Sequence, residues 1–283
     1  MVGKNRGILY LCATPIGNLE DITLRVLQTL READLVAAED TRRTRRLLSH
    51  YDIHTPITSY HEHNRRRQGE YLLERLAGGD MVALVSDAGT PGISDPGEDL
   101  VREAVNRGIP VVPLPGPSAL LAALVVSGLN VERFVFEGFL PAKGSGRTRR
   151  LAELVGESRT VVLYEAPHRV LKTLHDLIET LGDRRACAAR ELTKLHEELL
   201  RDTLSGLQEH FTTQPPRGEF VLVIEGVSNE SDKTAELWAA TPPEEHVRLL
   251  MQDGLAANEA IKRVARLRNL PRRELYKKIH VSE

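Results

Sequence analysis

A loop with three glycines and two prolines, Ser86–Gly97 (SDAGTPGISDPG), follows an apolar run that predicts a buried strand and precedes a segment with helical periodicity. Connections of this kind usually have about two to six residues, and longer ones tend to carry function. The glycines permit close approach of a ligand, and the prolines stiffen the turns. Asp87 stands at the carboxyl end of the strand, where open α/β sheets bind ligands. The loop therefore predicts a ligand site, with a surface loop rich in turn formers as the alternative.

Two further strand ends carry turn-rich loops, Thr14–Asp21 (TPIGNLED) and Pro115–Ala119 (PGPSA). Five strand–helix repeats fill the first 126 residues, which predicts a parallel five-stranded sheet with helices on both faces. The carboxyl ends of parallel strands share one edge, so the three loops are expected to converge on one crevice. Neither GxxxxGK[ST] nor GxGxxG occurs, which disfavours a phosphate-cradling or nicotinamide site. A nucleoside or amino-acid derivative fits a site built from backbone groups.

The second half of the chain has a different pattern. β-type strands with fewer helices predict a second α/β domain with a mixed sheet, in which Ala142–Thr148 is expected to be a flexible basic loop. The predicted domains are 1–119, 120–228 and 243–283, and the polar segment before the last of them reads as a linker. From Asn258 to Lys278, eight Lys and Arg residues stand against two acidic ones on three short amphipathic helices. This small helical tail predicts a nucleic-acid contact, with a packing appendage as the alternative.

Composition excludes several classes of protein. A formal net charge of −2 argues against a protein that coats nucleic acid, although local basic clusters can still track phosphates. No apolar run approaches the roughly 18 residues of a membrane span, and the N-terminus leads directly into a predicted strand without a signal peptide. The two cysteines lie far apart, with no metal-binding spacing. A cytoplasmic protein with reduced cysteines and no structural metal is expected.

Seven motifs together resemble those of the tetrapyrrole methylase superfamily, S-adenosylmethionine (SAM) enzymes of the class III fold. They are LYLCATPIGNLEDIT at 9–23, AEDTR at 38–42, the loop at 86–97, PGPSA at 115–119, YEAPHR at 164–169, RELTK at 190–194 and GEFV at 218–221. The resemblance runs from Ile8 to the C-terminus and implies SAM in a cleft between two α/β domains, and a homodimer. The loop at 86–97 is longer than its counterpart in tetrapyrrole-making members, which speaks against a porphyrin substrate. The motifs resemble the branch that methylates the ribose 2′-oxygen of a decoding-region cytidine in 16S rRNA, within the 30S subunit.

The resemblance also implies which positions bind the cofactor and the RNA. The cofactor-binding residues that it predicts are Pro15, Ile16, Gly17, Asp87, Gly89, Ile93, Ser118, Ala119, Tyr164 and Ala166. The RNA-binding residues that we expect are Arg42, Arg169, Arg190, Lys262, Arg263 and Arg266.

Methyl transfer to a ribose hydroxyl requires alignment of the reactants and removal of a proton, and it needs no metal. The candidate proton acceptors at strand ends are Glu39, Asp40, Glu165, His168 and Lys194. Asp40 and Lys194 are the favoured catalytic residues. A lysine serves as a base only where burial or nearby cations make it neutral. The structural alternatives are a helix-capping Asp40 and a Lys194 engaged in ion pairs with neighbouring glutamates.

Two other functions stay open. One is a methylase of the same fold that acts on a corrinoid precursor or on a protein, as in diphthamide synthesis; the basic tail distinguishes it, because a small-molecule enzyme has no use for that tail. The other is a non-catalytic RNA-binding factor, which would not bind SAM.

Overall fold

The structure is a computed structural model that describes residues 7–227, 241–252, 255–268 and 270–280. The chain forms two compact units, Met1–Gly226 and Val227–Glu283. Within the described ranges, no helix is both long and apolar enough to span a membrane.

The first sheet of the larger unit has five parallel strands in the order β3–β2–β4–β1–β5, as predicted. The strands are β1 (Ile8–Cys12), β2 (Leu35–Ala38), β3 (Ile57–Ser59), β4 (Met81–Val85) and β5 (Val111–Leu114). The residues of β2 are all buried, and so are four of the five in β4, because helices cover both faces of the sheet.

Four helices accompany this sheet: α1 (Leu24–Glu32), α2 (Thr41–His50), α3 (Arg65–Ala77) and α4 (Glu98–Asn106). Helix α5 (Ala119–Val126) follows β5 and packs against the second sheet. Helices α3 and α4 contribute Leu72 and Leu100 to the core on one face, and α1 and α2 contribute Leu30 and Leu48 to the core on the other. The Thr23 hydroxyl caps α1 by accepting a hydrogen bond from the Val26 amide at 3.2 Å.

The second sheet is mixed, in the order β6–β7–β10–β8–β9, with only the β6–β7 pair parallel. Its strands are β6 (Phe134–Phe139), β7 (Thr160–Glu165), β8 (Arg185–Arg190), β9 (Glu198–Thr203) and β10 (Phe220–Ile224). Helices α6 (Ser145–Glu153), α7 (Val170–Leu181) and α8 (Leu204–Thr213) accompany this sheet. A core on one face includes Leu174 and Phe211, and a core on the other joins Ile16 and Leu124 to Val221. This second core unites the N-terminal loop, α5 and the second sheet.

The expectation of a flexible loop at Ala142–Thr148 is wrong, because α6 begins at Ser145. Arg147 is 4% exposed, and its Nε lies 2.7 Å from Asp176 Oδ2 on α7. Its remaining nitrogens donate to the Pro141 carbonyl at 3.0 Å and to the Thr173 hydroxyl at 2.9 Å. The glycines and the serine of this segment favour a loop locally. The contacts of Arg147 with α7 and with the Pro141 carbonyl override this local preference.

The C-terminal unit contains three short helices, as predicted: α9 (Pro243–Gln252), α10 (Ala257–Leu267) and α11 (Arg272–His280). Val247, Ile261, Val264 and Leu275 are buried in its small core. Each helix therefore buries an apolar stripe, as expected of an amphipathic bundle.

Candidate active site

One cavity of about 500 Å³ opens beside the carboxyl ends of the strands of the first sheet, a volume typical of small-molecule sites. Its walls come from the loops after β1, β4, β5, β7 and β8 and from the start of β10. The predicted convergence of the three turn-rich loops is therefore observed. Eight of the ten predicted cofactor residues line this cavity: Ile16, Asp87, Gly89, Ile93, Ser118, Ala119, Tyr164 and Ala166.

The loops after β1 and β4 are locked together by backbone pairing. The Thr14 and Gly89 amides each donate to the other's carbonyl oxygen at 2.9 Å, and the Thr14 hydroxyl donates to the Ser86 carbonyl at 3.1 Å. Gly89 has φ +79°, and a β-carbon there would lie 3.4 Å from Ile16 Cγ2. The positive φ of the turn therefore favours a glycine at this position.

The wall of the cavity that is built by the first sheet, here called the N-terminal wall, is acidic. Asp87 accepts a hydrogen bond from the Asp40 amide at 3.0 Å and pairs with Arg43 at 3.2 Å. Burial, followed by the charge of Asp87, raises the pKa of Glu39. Burial and the charges of Glu39 and Asp87 raise the pKa of Asp95 to about 7. Sequence reasoning missed Arg43 and Asp95 as site residues, although Asp95 lies within the loop motif, because one of its acidic neighbours, Glu39, comes from another strand end.

Asp40 is a helix cap in the structure. Its Oδ1 accepts a hydrogen bond from the Arg42 amide at 2.8 Å at the start of α2. The hydrogen bonds from the Arg42 amide and side chain lower the pKa of Asp40. Asp40 is not among the residues that line the cavity. This geometry favours the structural alternative over a role as proton acceptor.

Lys194 lines the cavity from the opposite side and is engaged in two ion pairs. Its Nζ lies 2.9 Å from Glu191 Oε1 and 3.0 Å from Glu219 Oε2. Burial opposes the charged form, but the two glutamates prevail and raise the pKa of Lys194 above its ordinary value. A lysine that holds its proton in this way is poorly suited to accept another.

The loop that carries Lys194 is strained and braced. Glu191 and Thr193 have φ values of +49° and +66°, in the left-handed region that non-glycine residues rarely adopt. The Asn18 amide donates to the Thr193 hydroxyl at 3.0 Å. A β-carbon at Gly17 would lie 2.4 Å from Lys194 Cγ, so Gly17 leaves space for the lysine. Gly17 and its neighbour Pro15 are outside the set of lining residues.

Glu165 belongs to the wall that is built by the second sheet, here called the C-terminal wall, and its exposed fraction is 2%. Its Oε1 accepts a hydrogen bond from the Ala166 amide at 2.9 Å and lies 3.2 Å from Arg169 Nε. Its Oε2 accepts a hydrogen bond from the Thr173 hydroxyl at 2.5 Å, and that hydroxyl in turn accepts one from Arg147. Glu165 is thus fixed by donors on both of its oxygens.

The predicted RNA-binding residues fall into two groups. Arg169 and Arg190 are bound within the fold, Arg169 to Glu165 and Arg190 to Glu198 at 2.8 Å. The exposed group is Arg42, Lys262 and Arg263, whereas the Arg266 side chain lies outside what the structure describes. The local basic clusters of the sequence also include four exposed arginines of α2 and α3 for which the described residues contain no ion pair: Arg45, Arg46, Arg66 and Arg67.

Comparison with known proteins shows which family this chain resembles. The family model for Tetrapyrrole (Corrin/Porphyrin) Methylases matches residues 8–208. Ribosomal RNA small subunit methyltransferase I of Synechocystis sp. is 51% identical over 95% of this chain and 96% of its own length. The protein of the same name from Halalkalibacterium halodurans is 46% identical over 98% and 96%.

A solved structure shares the fold. The cobalamin biosynthetic enzyme cobalt precorrin-4 methyltransferase superposes with a TM-score of 0.58 at 17% identity, over 78% of this chain and 95% of its own. The residues that the family model matches include the first sheet, strands β6 to β9 of the second sheet and the loops after β1, β4, β5, β7 and β8. The chain therefore belongs to the tetrapyrrole methylase family and, within it, to the family of ribosomal RNA small subunit methyltransferase I.

Proposed function

We propose that this protein transfers the methyl group of SAM to the ribose 2′-oxygen of cytidine 1402 in 16S rRNA. The observation that carries the proposal is the near-full-length similarity to proteins named ribosomal RNA small subunit methyltransferase I. The cavity adds chemical support, because its size and its position at the carboxyl edge of a parallel sheet suit a nucleoside-containing ligand.

The lining of the cavity fits SAM. Ile16 and Ala166 supply apolar surface, and the Asp87 carboxylate supplies an acceptor for ligand hydroxyl or ammonium groups. Net acidic character around Glu39 and Asp87 matches a cationic ligand. When bound, SAM supplies an electrophilic methyl group on a sulfonium ion. The residues proposed to hold it are the ten predicted ones, with Pro15 and Gly17 supporting the wall rather than touching the ligand.

Features of the surface support an RNA substrate. Phe139 lines the cavity with 53% of its surface exposed and packs edge-to-face on Tyr164 at 5.6 Å between ring centroids. Aromatic rings at such sites stack on unpaired bases. Arg66 and Arg67 lie in the first turn of α3, which starts from the same sheet edge as the cavity. We propose that these arginines, together with Arg42 and the tail residues Lys262, Arg263 and Arg266, contact phosphates.

The direct test is methyl transfer from labelled SAM to 30S subunits and to naked 16S rRNA, with the product mapped by primer extension. We expect a single ribose-methylated cytidine. Transfer to a corrinoid or a protein but not to RNA would instead support the same-fold alternative. Binding of RNA without binding of SAM, measured by calorimetry, would identify a non-catalytic factor. Asp87→Ala is expected to lose SAM affinity while RNA affinity is retained.

We further propose that the protein is a cytoplasmic homodimer, with residues 1–119 and 120–228 as the two lobes of the SAM cleft and 243–283 as an RNA-contact domain. Leu121 and Val125 on the apolar helix α5 are 51% and 69% exposed, which supports an association surface there. Light scattering of the wild type and of Leu121→Glu tests the dimer, since only the wild type is expected to show twice the monomer mass. Deletion of 243–283 is expected to weaken 30S binding more than SAM binding.

A further inference from the structure

Most acidic and basic side chains that line the cavity are held by opposite charges. The ion pairs are Arg43–Asp87, Arg169–Glu165, Lys194–Glu191 and Lys194–Glu219. Among the described residues, the remaining lining groups of this kind, Asp95 and His168, have no ion pair. His168 is exposed to solvent, whereas Asp95 is partly buried. Asp95 is therefore the lining carboxyl group in the described structure that is both shielded from water and unneutralised.

The backbone holds Asp95 in place. Ser94, directly before it, has φ +61°, and Gly92 has φ +84°, so the chain turns sharply just ahead of the carboxyl group. A β-carbon at Gly138 in β6 would lie 2.9 Å from Ser94 Oγ, which shows how closely the second sheet packs against this turn. A non-glycine residue in this conformation at a cavity wall marks a functional constraint.

The surroundings of Asp95 favour proton uptake. Glu39 after β2 and Asp87 after β4 place negative charge near it and favour the protonated carboxyl group, whereas the hydrogen bond with the Ser86 side chain lowers its pKa and opposes them. Arg43 forms an ion pair with Asp87, and His61 and Arg43 both lower the pKa of Glu39. Tyr164 of the second sheet lies near enough to Asp95 to interact with its charge. Burial together with the two carboxylates raises the pKa of Asp95 to about 7. A general base acts best when its pKa lies near the working pH.

We propose that Asp95 is the catalytic base that accepts the proton of the attacking ribose hydroxyl, an assignment that rests on the proposed function. In this step the ribose O–H bond breaks and its proton passes to the Asp95 carboxylate. The ribose oxygen forms a new bond to the methyl carbon as the S–CH₃ bond of SAM breaks, with that electron pair staying on sulfur. The products are the 2′-O-methyl ether, neutral S-adenosylhomocysteine and a neutral Asp95 carboxyl group, so charge and atoms balance.

The test compares wild type, Asp95→Asn and Glu98→Gln for kcat on 30S subunits from pH 5.5 to 9, and for SAM affinity by calorimetry. Glu98→Gln is a matched amide substitution nearby, at a side chain that is 82% exposed. We expect the wild-type kcat to rise about tenfold between pH 6 and pH 8, as a group with a pKa near 7 ionises. Asp95→Asn is expected to lose about 10²–10⁴-fold in kcat and the pH dependence with it, while SAM affinity stays within about threefold.

A second measurement does not depend on turnover. In protein labelled with ¹³C at aspartate carboxyl groups, one signal should titrate with a midpoint near pH 7 in the wild type and in Glu98→Gln, and be absent from Asp95→Asn. An Asp95→Asn enzyme within fivefold of wild-type kcat, or loss of the pH 7 transition in His168→Gln but not in Asp95→Asn, would overturn the assignment. Lack of transfer by the wild type would instead overturn the proposed function, which distinguishes the two failures.

Discussion

Two carboxyl groups on opposite walls of one cavity differ in their neighbours: Glu165 is surrounded by hydrogen-bond donors and a cation, and Asp95 by other carboxylates. Glu165, on the wall built by the second sheet, is 2% exposed and receives hydrogen bonds on both oxygens, with Arg169 as its counter-ion. Asp95, on the wall built by the first sheet, faces two other carboxylates, and the described residues give it the Ser86 hydroxyl but no cation. Burial alone therefore does not decide the role of an acidic residue here; its set of donors and counter-charges does.

The contrast separates groups that hold the cavity together from groups that are available for chemistry. A buried charge that is fully paired becomes expensive to remove, because its partners are left uncompensated. A buried carboxyl group among like charges is costly to keep ionised, and that cost makes it a better proton acceptor. The predictions that follow test this separation.

The largest expected effect is the loss of stability in Glu165→Ala. Removing this carboxylate leaves Arg169 without its counter-ion and the Thr173 hydroxyl without its acceptor. We expect the free energy of unfolding to fall by about 3–5 kcal/mol, measured by urea denaturation. Glu153→Ala, which removes an exposed partner of Arg150, is the control and should cost less than about 1 kcal/mol. Equal losses of unfolding free energy in the two variants would show that the buried, paired Glu165 contributes no more to stability than an exposed ion pair.

The second effect has the opposite sign. The pKa of Asp95 is about 7 in the folded protein against an ordinary 3.8, so its ionisation destabilises the fold progressively as the pH rises from about 4 to 7. Asp95→Asn avoids this penalty. The variant should match the wild type near pH 4 and exceed its stability by about 2–4 kcal/mol at pH 8, measured by denaturant titration at both values. A variant less stable than the wild type at pH 8 would show that the Asp95 carboxylate is paired after all.

Much of this architecture was accessible from the sequence, because local patterns carry it. The apolar runs at β1, β2 and β4 specify buried parallel strands, and the glycine and proline loops specify the edge where ligands bind. The start of α6 was not accessible, because Arg147 is buried by partners from α7 and from the chain before α6.

The roles of the ionisable residues were the hardest part to predict. Nothing near Asp95 in the sequence reveals that Glu39 approaches it across the sheet edge. Nothing near Lys194 reveals the ion pair with Glu219, a residue that is 25 positions away. The sequence can place a charged residue at a strand end, but its pKa depends on residues that only the fold brings near.

Surface arginines can also be divided into those with an ion pair and those without one, and we expect the two groups to differ in RNA binding. Arg66→Ala/Arg67→Ala removes two exposed cations that have no ion pair among the described residues. We expect about tenfold weaker binding to 16S rRNA, and a slope of log affinity against log salt that is shallower by about 1.4. The control is Arg107→Ala, because Arg107 is already paired with Glu70 at 2.8 Å and Glu103 at 2.9 Å. If the control lowered affinity as strongly, pairing would not be what distinguishes these arginines.

The smallest expected effect is that of Lys194→Met, which tests the paired cation of the cavity. The lysine side chain is 30% exposed, so its ion pairs with Glu191 and Glu219 should contribute only about 1 kcal/mol to stability. Because those glutamates raise its pKa, Lys194 stays protonated across the neutral range and cannot produce a transition near pH 7. The kcat–pH profile of the variant should therefore keep the wild-type midpoint, even where the altered wall lowers kcat. A profile that became flat would show that the transition depends on Lys194, which would contradict its assignment to Asp95 alone.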